Sequence, residues 1–138
     1  MKHTTQRRSR EQKGVALLEV LISILLFSLG ILGLVGLQAR AIGFSVDAED
    51  RNRAALLANE IASVMWLNRS VTVAAPALTA WQDRVADPQA GGLLGGTGTV
   101  AAVAGSTNSA DVLITWQAPA RAATDLSRLT TRVTVNLP

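Results

Sequence analysis

VALLEVLISILLFSLGILGLVGL, residues 15–37, is an apolar run interrupted by one charge, Glu19, and by two other polar side chains, Ser23 and Ser28. Wound as a helix it measures about 35 Å, enough to cross a hydrocarbon core of about 30 Å. A cleavable secretory signal has an apolar stretch of about 7 to 15 residues, so this run is too long for one. Ala39-Arg40-Ala41 is therefore set aside as a conventional cleavage site despite its small-x-small form. Ahead of the run, Lys2, Arg7, Arg8, Arg10 and Lys13 stand against Glu11 alone. Basic residues before a span hold their flank in the cytoplasm, which places the bulk of the chain on the far side of the membrane.

The chain has 138 residues and a formal net charge of +3, but the surplus sits in that basic front segment. From residue 15 onward eight Arg face nine acidic residues. No basic stripe is left to neutralise phosphates, so no nucleic-acid partner is expected.

Beyond the run, Gln38 to Leu67 holds no Gly or Pro after Gly43 and is rich in Ala, Leu, Glu and Arg, so the helix is predicted to continue outward. A helix over 15–67 would be about 80 Å long. Asp47 with Arg51, and Glu49 with Arg53, are acid-before-base pairs at i,i+4. Leu57, Ile61 and Val64 recur at helical spacing and are expected to cover a small domain. Pro76 then opens a short amphipathic stretch over Ala77 to Ala86, with Trp81 and Val85 on one face, and Pro88 limits it. Gly91, Gly92, Gly95, Gly96 and Gly98 suggest a flexible loop between helices and strands.

Two segments alternate as half-buried strands do. In the first, Val112, Ile114 and Trp116 share a face; in the second, Leu129, Thr131, Val133, Val135 and Leu137 do. Thr97 to Ala104 offers a weaker third strand. The expected fold class is α+β, a long N-terminal helix packed on a small antiparallel sheet. The expected divisions are a leader at 1–14, a membrane or filament-core helix at 15–40, and a domain at 41–138. Within that domain the expectation is helix 41–67, loop 68–110, and strands at about 111–118 and 129–137.

Chemistry is sparsely provided for. There is no Cys and no Tyr, and the single His, His3, lies in the leader. The remainder then has no side chain that titrates naturally near neutrality, no Ser/His/Asp set and no phosphate loop. Neither catalysis, nor a cofactor, nor a metal is expected. Asn68-Arg69-Ser70 has the form of a glycosylation acceptor but is too short to weigh much.

Gln12-Lys13-Gly14 followed by Val15-Ala16-Leu17-Leu18-Glu19-Val20-Leu21 resembles the class III signal of type IV prepilins: basic leader, Gly, apolar run, Glu fifth in the run. The resemblance implies a pilin fold and cleavage after Gly14 by the prepilin peptidase, which would also methylate the new N-terminus at Val15. Phe is usual at that terminus, and Val15 departs from it. Glu19 is by resemblance the assembly carboxylate, paired with a neighbour's N-terminal ammonium; an acid within an apolar span is a functional candidate on physical grounds as well. Gly30, Gly33 and Gly36 suit either close helix packing or local helix melting on assembly.

A finer likeness, to the PilV-type minor pilins, rests on Leu29-Gly30-Ile31-Leu32-Gly33-Leu34-Val35-Gly36-Leu37-Gln38, on Arg53-Ala54-Ala55 to Glu60-Ile61, on Met65 to Asn68, and on Trp81. It implies other minor and major pilins as partners and a bacterial inner-membrane location. The subunit would have a single pass and a periplasmic C-terminal domain, and would enter the pilus on assembly. Many pilins close a C-terminal loop with a disulfide, which this chain lacks the Cys to form. A minor pseudopilin of type II secretion, or a single-span membrane protein with a periplasmic binding domain, remains an alternative.

Overall fold

The computed structural model describes residues 8–119, 121–122 and 124–136, with side chains from Gly14 onward. Helix α1 runs Arg8–Leu67 and α2 Ala75–Ala86; a single 3-10 turn follows at Pro88–Ala90. The strands are β1 (Thr97–Ala102), β2 (Ser109–Trp116) and β3 (Ser127–Thr134). The chain divides into two units, Met1–Ile42 and Gly43–Pro138, and α1 contributes to both. The fold is α+β and pilin-like: a long N-terminal helix with an apolar stretch, and a small antiparallel sheet.

Helix α1 begins before the expected Val15 and passes through Gly14 without a break. Arg, Glu, Gln and Lys are good helix formers, and one interior Gly, at about 1 kcal/mol, is too small a cost to end a helix they favour.

In the second unit the sheet is an antiparallel meander in the order β1-β2-β3. Its register sets Val100 and Gly98 beside Val112 and Ile114, which lie beside Thr131 and Leu129, while Ala110 meets Val133. One face of the sheet is thereby apolar. Ala54, Leu57, Ala58, Ile61, Ala62 and Met65 of α1 bury against that face in a core with Val112, Ile114, Trp116, Val133 and Val135. The core stripe of α1 runs through Met65, whereas Val64 is only partly covered. Small Ala side chains along the stripe let the helix backbone come close to the strands, and Ile61 and Met65 fill the space between them.

Residues 68–110, expected as a loop, hold α2, the 3-10 turn, β1 and the first residues of β2. Pro76 falls in the first turn of α2, where its missing N–H costs nothing. Trp81 and Val85 are buried, as their spacing predicted. The Trp81 indole N–H donates to the Leu57 carbonyl of α1 at 2.9 Å, and Arg84 pairs with Glu60. The residue before a proline is pushed to extended backbone, so Asp87 ends α2; its carboxylate then accepts from the Gln89 N–H at 2.9 Å.

The glycine-rich segment is built rather than free, which corrects the flexible loop expected there. Leu93 is buried and its N–H donates to the Val85 carbonyl at 2.9 Å. A Cβ at Gly96 would collide with that same carbonyl oxygen. At Gly98 a Cβ would stand 2.5 Å from the Trp81 ring, so the bare backbone of β1 is what lets the indole lie against the sheet.

The strands themselves are shifted from expectation. The strand expected at 111–118 is Ser109–Trp116, the one expected at 129–137 is Ser127–Thr134, and β1 is a full third strand. Cross-strand polar pairs extend the ladder past the apolar alternation: Ser109 Oγ lies 3.1 Å from Thr134 Oγ1, and Trp116 pairs with Ser127. Leu137, expected on the inward face, lies outside the described residues.

Gly98→Ala is expected to destabilise the second unit by about 1–3 kcal/mol, the usual cost of overpacking. Thr99→Ala, on the exposed face of the same strand, should cost far less. Urea unfolding of the full chain in detergent, followed by Trp fluorescence, measures both.

Candidate functional site

The candidate residues lie on α1 in the first unit, one helix whose side chains meet nothing else there. Every Val, Leu, Ile and Phe from Val15 to Leu37 is between 44% and 70% exposed. Mean hydropathy reaches 2.7 in an 18-residue window, and Gly14–Leu67 contains a segment long and apolar enough to cross a membrane. Exposed apolar surface on this scale requires lipid or other helices around it. The segment and the methylation motif reported below are consistent with membrane anchoring.

Gly14 lies within α1, with nothing inside 4 Å of where a Cβ would stand. Val15 is 67% exposed and Glu19 is exposed one turn further along. At about 100° per residue, Val15, Glu19, Ser23, Leu26, Gly30, Gly33 and Leu37 fall within about 40° either side of Glu19, so the carboxylate, one hydroxyl and two of the glycines share a side of the helix with apolar residues. Gly36 is rotated about 100° from Glu19, so the three Gly residues do not form one flat face. Among the described residues, nothing lies within 4 Å of where a Cβ would stand at Gly30, Gly33 or Gly36.

In the second unit the ionisable groups are mostly paired at the surface. Glu49 meets Arg53 as expected, and Asp111 takes a bidentate pair of bonds from Arg132 at 2.7 and 2.9 Å. That guanidinium holds the Asp111 carboxyl below its ordinary value. Asp47 and Arg51, expected as a pair, form no ion pair: Asp47 Oδ1 is shielded without a hydrogen-bond partner, and Arg51 lines a cleft beside β3. Burial raises the Asp50 carboxyl above its usual value; Arg53 opposes the shift, while Glu49 and Asp47 add to it. Among the described residues no group of His, Cys, Asp and Glu is placed to hold a metal ion. Arg51 and its cleft went unnoticed in the sequence, where the only available signal was a spare Arg at i,i+4 from an acid.

Residues 9–35 match the prokaryotic N-terminal methylation motif, the class III signal of type IV pilins. The motif supports a type IV pilin-like prepilin, and it implies processing by the prepilin peptidase and assembly with pilins. Proteins that carry this motif are structural rather than enzymatic. No curated protein and no solved structure matches the chain.

The full chain is expected to stay with membranes through alkaline carbonate extraction. Deleting residues 15–40 should move it to the supernatant, read by immunoblot of the two fractions.

Proposed function

We propose that the chain is a minor pilin, a structural subunit that helps prime, assemble or modify the type IV pilus. Residues 1–14 form a cytoplasmic leader, 15–40 the membrane and later filament-core helix, and 41–138 a periplasmic domain. The leader is cut after Gly14, and Val15 becomes the N-methylated terminus. Other minor and major pilins are the partners. What carries the reading is one carboxylate, Glu19, exposed on an apolar helix and within the matched motif.

In a low-dielectric bundle an isolated carboxylate is costly, and so is an isolated ammonium. Each removes the other's cost if Glu19 of one subunit receives the terminal ammonium of its neighbour. The pair fixes axial register, because a slip of one helical turn leaves both charges alone. Gly30 and Gly33, on the same side of α1, let neighbouring backbones approach along that seam. The minor-pilin assignment draws on the likeness in Leu29–Gln38, Arg53–Ile61 and Met65–Asn68, and on Trp81, which anchors α2 to α1.

Gly14→Leu is expected to block processing, since a bulky side chain would stand where the peptidase must approach the backbone. Mass spectrometry of the product should then find no protein beginning at Val15; finding one would remove Gly14 from the mechanism.

Glu19→Leu should leave insertion and leader cleavage intact while lowering recovery in sheared pili at least tenfold, with Glu19→Asp in between. Gel mobility reads cleavage, and immunoblot of the sheared fraction reads recruitment. Undiminished recruitment of Glu19→Leu would refute the charge pairing, and recovery only in a type II secretion complex would reassign the subunit to that system.

A further inference from the structure

Beside β3 lies an open cleft of about 590 Å³, lined by Arg51, Thr115, Arg121, Thr124, Asp125, Leu126, Ser127 and Arg128. Three Arg residues line it, from α1, from the β2–β3 connection and from β3, in a unit that holds seven Arg against eight acidic residues in all. Arg53, Arg84 and Arg132 each have a carboxylate partner elsewhere. In the cleft the ion pair among the described residues is Arg121 with Asp125, at 3.2 Å; Arg51 and Arg128 form none among them. Like charges brought together from distant parts of a chain repel, so an arrangement of this kind is best satisfied by an anion between them.

We propose that this cleft binds acidic saccharides through their carboxylates. Guanidinium is planar and presents paired N–H groups that match a carboxylate in bidentate fashion. Thr115, Thr124 and Ser127 add hydroxyls that donate or accept, which suits a ligand bearing hydroxyl groups beside its charge. The volume falls within the usual range for small-ligand sites, about 300–1,000 Å³, and accommodates one or two sugar units. No aromatic residue lines the cleft, so nucleobases have no surface to stack on. Leu126 is its single large apolar side chain, which offers little to an acidic peptide. The ion pair of Arg121 with Asp125 is exposed and weak, so a ligand carboxylate can displace Asp125 at small cost.

This site is independent of the pilin reading, because binding is measured on the isolated chain. The full chain in detergent micelles is titrated calorimetrically with digalacturonate, with its methyl ester, with inorganic phosphate, with tetrathymidylate and with pentaglutamate. Digalacturonate is expected to bind saturably and at least tenfold more tightly than any of the other four. Arg51→Gln and Arg128→Gln should each weaken it tenfold or more, while Arg69→Gln, outside the cleft, leaves it unchanged. Near-ultraviolet circular dichroism verifies the fold of each variant; Arg128 is an exposed residue of β3, so its substitution carries the test if Arg51→Gln fails to fold. Absence of binding, equal or tighter binding of any of the other four compounds, or undiminished binding by Arg128→Gln overturns the proposal.

Discussion

The constraint on which the rest depends is that α1 satisfies its own backbone and leaves its side chains unsatisfied. An α-helix pairs its N–H and C=O groups internally, which is what allows one to persist in hydrocarbon. The run at 15–37 exploits this fully: as a single helix its Leu, Ile, Val and Phe side chains lie exposed, and they suit lipid or neighbouring helices. Glu19 is the one group in the run that neither surrounding accepts without a partner.

Past Gly43 the requirement is met from within the chain. The stripe from Ala54 to Met65 meets an apolar sheet face, and α2 closes the open side through Trp81 and Val85. Closure depends on a few contacts that are long-range in sequence: the indole N–H on the Leu57 carbonyl, and Gly98 yielding its Cβ space to the ring. A three-stranded sheet and one helix face make a small core, and α2 adds a large aromatic surface to it.

The elements that were legible in the sequence are those whose signal is local. The apolar run, the continuation of α1 to Leu67, the Pro76 start of α2 and the inward faces of β2 and β3 all follow from periodicity and punctuation. The matched motif was legible too, because it occupies contiguous residues. What escaped is what tertiary contact decides. β1 reads weakly because Gly98 and Val100 are its only inward residues of note, and Gly98 is buried only because Trp81 lies on it. The glycines look like slack until Val85 and the Trp81 ring show where a Cβ would collide. Asp47 and Arg51 are correctly spaced for a pair on a bare helix, but Asp47 Oδ1 is shielded without a hydrogen-bond partner and Arg51 lines the cleft. The Arg cluster draws on residues 51, 121 and 128, which no window along the sequence brings together.

The connection from β2 to β3 raises a problem that the absence of Cys makes sharper. It spans residues 117–126, and closing such a loop costs conformational entropy that a disulfide would otherwise remove from the unfolded state. Here a side-chain amide does the closing. Gln117 Nε2 donates toward the carbonyls of Ala118, Arg121 and Ala122 at 3.3, 3.1 and 3.2 Å, while the Gln117 backbone N–H bonds the Leu94 carbonyl at 2.9 Å. One residue therefore gathers the turn and ties it to the glycine-rich segment. Arg121 with Asp125 adds a second, exposed link four residues long. Such bonds contribute about 1 kcal/mol each, less than a covalent bridge, so several of them are needed to offset the same closure entropy. Arg121 and Arg128 border the cleft on either side of this closure, so the bonds that gather the turn also set where those two charges stand.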